Sequence, residues 1–186
     1  LMNMLAGIYF PDAGQIFVNG EEVVIRSPKD AFKYNIGMIH QHFKLVDVFT
    51  ATENIVLGMH DEEKFNLAEA EKKVRQITER YGFAVDLKKK IYEMSVSEKQ
   101  TVEIIKVLYR GANILILDEP FNALDYKTYE DVKAIIRMLK AEGKTIFLTS
   151  HHYKDIEQLC DQVYSLEDCQ LLPITEEIAA RYREMD

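Results

Sequence analysis

Short unbroken apolar runs alternate along this chain with longer stretches in which apolar residues recur every three or four positions. "ILIL", Ile114 to Leu117, and "TIFL", Thr145 to Leu148, are runs of the first kind. A half-exposed strand would alternate apolar and polar residues. A strand buried on both faces of a parallel sheet reads as a continuous run. Between the two runs, Val132, Ile135, Ile136 and Leu139 fall on one helical face, and Gly143 reads as the helix stop. The three pieces predict a strand–helix–strand unit of the parallel type, with both strands buried.

The same reading extends in both directions. Leu1, Met4 and Leu5 have helical spacing up to Gly7, and Asn19-Gly20 between short apolar runs signals a hairpin. Ser27-Pro28 opens a short helix, "IGMIH" is a strand, and Thr50 with Glu53 is a capping box at the start of another helix. Asn66 with Glu69 starts a charged helix whose Ala70, Val74, Ile77 and Tyr81 share a face. A further helix runs through "TVEIIKVLYRG" to Gly111, and "MSVSEKQ" before it holds two overlapping capping boxes, Ser95 with Glu98 and Ser97 with Gln100. "QVYSLED" reads as one more strand and "TEEIAARYREMD" as a terminal helix. The expected fold is α/β, with a parallel sheet core, a small antiparallel hairpin region and a helical insertion at about residues 55–95.

Composition narrows the function without naming it. Across 186 residues, 47% hydrophobic and 29% charged content are ordinary for a globular domain. A net charge of −8 argues against a broad nucleic-acid surface, which needs clustered Lys and Arg. No apolar run has membrane-spanning length. Cys160 and Cys169, without a secretory mark, are expected as reduced thiols.

The candidate chemistry collects at strand ends. Asp118 and Glu119 follow "ILIL" at the carboxyl end of its strand, where open α/β sheets bind ligands. Neighbours on a strand point to opposite faces, so one acid can hold a metal while the other faces a water. Acids are common where strands meet loops, and the pair alone decides nothing. His151 at the end of the adjacent strand changes the weight. Together the three suit a polarised water and a neutralised phosphate: Asp118 through Mg²⁺, Glu119 as base, His151 on the developing charge. Gln41, at the end of "IGMIH", is a neutral oxygen donor able to complete a Mg²⁺ shell or hold a water. His40 and His42 share a face if extended, but zinc takes three or four ligands and no third lies nearby. Ser95 and Ser97 either simply cap a helix or make its N-terminus a phosphate site.

In order, Gln41, the helical stretch, "MSVSE", "ILILDEP", "NALD" and "SHH" resemble the Q-loop, helical subdomain, signature, Walker B, D-loop and switch histidine of ABC-type ATPases. The resemblance covers almost the whole chain, and "GMIHQHFKLVDVFTATENIVLG" looks like the simple-sugar and nucleoside importers. It implies one P-loop NTPase-like domain over 1–186, with ATP and Mg²⁺ bound between two such domains. A membrane permease at the cytoplasmic face would dock on the helical subdomain. Carried over by position, Asp118 and Gln41 would contact Mg²⁺, Glu119 would be the general base, and His151 would reach the γ-phosphate. Ser95 and Ser97 of the signature and Asp125 of the D-loop would act across the dimer interface. No nucleic-acid partner is implied.

Two departures from the family pattern stand out. The Gly-rich phosphate loop and its Lys, which in the family immediately precede the residues matching "LMNML", are absent from the sequence, as is the first strand. The expectation is a sequence truncated at its N-terminus and inactive as written. A catalytically incomplete permease-docking module is the alternative. Secondly, Ser97 stands where the signature has Gly, and its Cβ sits where backbone approaches the phosphate.

Overall fold

A computed structural model describes residues 1–40, 43–58, 66–122, 124–167 and 170–185. Its centre is a parallel sheet of three strands, β3 (Ile36–Ile39), β4 (Ile114–Asp118) and β5 (Thr145–Thr149), in the order β3-β4-β5. The unbroken apolar run of β4 is explained by its two neighbours in the core. Leu115 and Leu117 point into a cluster with Ile104, Val107, Val132, Ile136 and Leu139. Ile116, on the other face, packs with Ala6, Val23, Ile25 and Ala31. The first face is covered by α5 (Val96–Tyr109) and α6 (Tyr126–Ala141). The second is covered by α1 (Met2–Leu5), the β1–β2 hairpin (Ile16–Val18, Glu21–Val23) and α2 (Pro28–Lys33). Gly7 bends the chain at the end of α1 with φ +73°, and a Cβ there would run into the Ser27 carbonyl.

The expectation for β5 needs correcting. It is not buried on both faces: Thr145 is exposed and Phe147 is 40% exposed. Among the described strands β5 pairs with β4 alone, so its apolar run lies at a sheet edge and not inside it.

α5 joins two cores. Its Ile104 and Val107 face the sheet, while Val102, Ile105 and Tyr109 face α3 (Ala51–Val56) and α4 (Leu67–Tyr81), around Ile55, Val74 and Ile91. α3 begins with the capping box expected of Thr50 and Glu53. The far end of α4 is tied to the end of α6 by Tyr81 and Arg80, which donate to Glu142 at 2.7 and 2.8 Å. Burial and that hydrogen bond push the Tyr81 phenol up to about 12.

"QVYSLED" forms β6 (Tyr164–Glu167), which pairs antiparallel with β7 (Gln170–Pro173) in a separate hairpin. β7 escapes a pattern reading because it holds only two apolar residues before a proline. α7 (Tyr153–Leu159) and α8 (Glu176–Met185) flank the hairpin.

Candidate functional site

Parallel pairing in register, Asp118 opposite Thr149, brings the carboxyl ends of β4 and β5 level. The acids at the end of one strand therefore meet the loop leaving the other. Immediately after β4 the backbone turns through Glu119 at φ +50°, a left-handed conformation uncommon for a side chain of this size. The Glu119 N–H is held there by Thr149, donating to its carbonyl oxygen at 3.2 Å and to Oγ1 at 3.1 Å. The Thr149 hydroxyl donates in turn to Asp118 Oδ1 at 2.8 Å. Glu119 Oε1 lies 3.1 Å from His151 Nε2, with the carboxylate side chain 11% exposed and the imidazole 87% exposed. Asp118, Glu119 and His151 thus form one group at one edge of the sheet. Thr149, which links the two acids, is absent from the sequence-level candidates. Its only sequence signal is a polar residue ending an apolar run two positions before His151.

Ser95 and Ser97 sit elsewhere, at the N-terminus of α5. Ser95 is the N-cap: its Oγ accepts from Glu98 N at 3.2 Å, while its own N–H donates to Glu98 Oε2 at 2.8 Å. Of the two overlapping capping boxes only this one forms, because a helix has one N-cap and Ser97 already lies inside the first turn. Ser97 Oγ contacts Ser95 Oγ at 2.9 Å. Lys89 closes the cap from outside, 2.8 Å from Glu98, and with the Ser95 N–H holds that carboxyl below its usual range. Asp125 caps α6, its Oδ1 accepting from Thr128 N at 3.0 Å; that bond is the main reason its pKa is lowered.

Gln41 lies outside the described residues, as do His42, Cys169 and Ala123 of the "NALD" turn. His40 is half-buried and lines a cavity of about 160 Å³ with Glu103, Lys106 and Arg110; burial lowers the pKa of its imidazole. Among the described residues no three His, Cys, Asp or Glu side chains converge on a metal position.

Two acids and a histidine thus meet at the carboxyl edge of a parallel sheet. The family model described as ABC transporter matches residues 1–122. The chain belongs to the ABC transporter family. The nucleoside import ATP-binding protein NupA of Lactococcus lactis subsp. cremoris is 43% identical over 165 residues, covering 88% of this chain and 33% of that protein. The guanosine import ATP-binding protein NupO of Bacillus subtilis is 44% identical over 165 residues, covering 88% of this chain and 32% of that protein. This ABC family chain spans about a third of the length of those relatives.

Among solved structures, a nucleotide-free ATP-binding cassette from an ABC transporter superposes with a TM-score of 0.79 at 20% identity, covering 96% of this chain and 77% of that one. A dimeric, post-hydrolysis ATP-binding cassette bound to ADP and phosphate superposes with a TM-score of 0.75 at 20% identity, covering 91% and 76%. These likenesses establish the α/β fold of this ABC family member.

Proposed function

We propose that this chain is part of the ATP-hydrolysing subunit of an ABC importer for nucleosides or simple sugars, working at the cytoplasmic face of a membrane. The observation that carries the reading is the meeting of Asp118, Glu119 and His151 at the carboxyl edge of β4 and β5. The import ATP-binding relatives support the substrate class. No helix among the described residues is long and apolar enough to cross a membrane; in this reading a membrane permease is the partner. A second ATP-binding domain is the other partner, and the dimeric cassette among the structural relatives supports that pairing.

In this mechanism Glu119 accepts the proton of the water that attacks the γ-phosphate, and His151 donates a hydrogen bond to the phosphate oxygens. The site fits Mg²⁺ by its donor chemistry. That ion takes one or two carboxylates plus phosphates and waters, so the single carboxylate of Asp118 suffices without an all-protein cage. Asp118, with Gln41, would hold it, and its bound charge would offset that of the phosphates. Ser95 and Ser97 would face the nucleotide of the second domain, with Asp125 at the same interface. The helical unit at 55–95 would receive the permease.

The test is ATP hydrolysis by the complete protein, purified with and without its permease. Mg²⁺-dependent turnover and co-purification of a membrane permease are the expected results. A complete protein that neither binds nor hydrolyses ATP would overturn the reading.

A further inference from the structure

The Thr149 hydroxyl occupies a position that no strand requires. A hydroxyl has one proton to give and two lone pairs to receive with. Here the proton goes to Asp118 Oδ1 at 2.8 Å, and a lone pair takes the Glu119 N–H at 3.1 Å. β-branching restricts χ1, so the backbone of β5 determines where this oxygen stands. The backbone of β5 is itself in register with Asp118. The neighbouring hydroxyl is no substitute, since Ser150 Oγ accepts from His152 N at 3.1 Å within its own turn. A valine would pack equally well in a strand. It would lose the bond to Asp118, while the Glu119 N–H would keep the Thr149 carbonyl oxygen at 3.2 Å.

We infer that Thr149 is a positioning residue: its hydroxyl orients the Asp118 carboxylate toward the metal, and the hydroxyl together with its main-chain carbonyl holds the left-handed turn at Glu119, so that one residue of β5 contacts both the metal ligand and the base. Oδ1 of Asp118 accepts from the hydroxyl, and in this inference Oδ2 goes to the metal. This inference rests on the proposed metal-dependent site, in which Thr149 acts through Asp118 and Glu119. Groups that orient a metal ligand from behind are worth about 10-fold or more in metal affinity when removed.

The experiment is Mn²⁺ binding to the complete protein in the presence of ADP, followed by electron paramagnetic resonance, for the wild type, Thr149→Val and Thr149→Ser. Metal-free ADP binding is measured alongside. Val is expected to weaken Mn²⁺ about 10-fold, Ser to restore it, and metal-free ADP affinity to stay level across all three. A purely structural role would lower the thermal midpoint and leave the Mn²⁺ affinity in place. Equal or tighter Mn²⁺ binding by the Val variant would overturn the positioning role alone. A wild type that takes up no Mn²⁺ with ADP would overturn the site reading, and this inference with it. Thr149→Ala carries the same test if the Val variant does not fold.

Discussion

Glu119 and His151 meet at 3.1 Å, one side chain 11% exposed and the other 87% exposed. Glu119, the proposed base, is held inside the sheet edge, and the histidine reaches it from solvent. The two therefore have unequal freedom, and substitutions should separate them. Glu119→Gln in the complete protein is expected to lower ATP turnover by about 10²- to 10⁴-fold, the usual worth of a positioned base. Nucleotide binding should persist. Equilibrium binding of a fluorescent ATP analogue beside steady-state hydrolysis checks this, and a Gln variant that hydrolyses normally would remove Glu119 from the mechanism.

Lys133 of α6 and Asp155 of α7 form an ion pair at 3.3 Å with side chains 5% and 2% exposed. Gln158 accepts from Lys133 at 2.6 Å, and the Tyr129 hydroxyl donates to Asp155. Taking away one partner leaves a buried charge uncompensated, so Lys133→Met should lower stability by about 3–5 kcal/mol. Lys133→Met combined with Asp155→Leu removes both charges and should recover much of that loss. Urea denaturation of the two variants decides it; a double variant as weak as the single would show that packing, and not charge, sets the cost.

The cap of α5 makes stability depend on acid. Lys89 and the Ser95 N–H lower the Glu98 pKa in the folded protein. A carboxylate whose folded pKa is depressed contributes stability above its unfolded value of about 4.3, and loses it as pH falls through the folded value. Glu53 at the start of α3, held down mainly by the Thr50 N–H, acts in the same direction. Thermal midpoints should fall below about pH 4.3, and Lys89→Met should shrink the contribution of Glu98. An unchanged acid profile in that variant would count against the Lys89 pairing.

A Cβ at Gly37 in β3 would run into Val107 Cγ1 and come within 3.0 Å of the Ala112 Cβ. β3 and α5 are packed too closely for a side chain between them. Gly37→Ala is expected to destabilise by about 1–3 kcal/mol, as overpacked cores do. Val107→Ala in the same chain should return part of that loss, measured by thermal unfolding.

The strand–helix–strand unit of β4, α6 and β5, the capping boxes at Thr50 and Ser95, the apolar faces of α4 and α6 and the placing of Asp118, Glu119 and His151 at strand ends were legible in the sequence, whereas α7 and β7 were not. Each depends on local chemistry: the period of apolar residues, the reach of a hydroxyl to the third N–H, or a charge ending an apolar run. Pattern cannot say how many neighbours a strand has, and so β5 reads as buried although among the described strands it stands at an edge. Two serines in range of two partners both read as caps, although only Ser95 occupies the boundary of α5.

Tertiary structure alone decided the rest. The contact of Glu119 with His151, and the bond from Thr149 to Asp118, depend on the parallel register of β4 with β5. Side chains of α5 and α6 pack over the sheet that carries this register. No residue near Thr149 in sequence announces that its hydroxyl will lie between two acids, because the acids arrive there on a different strand.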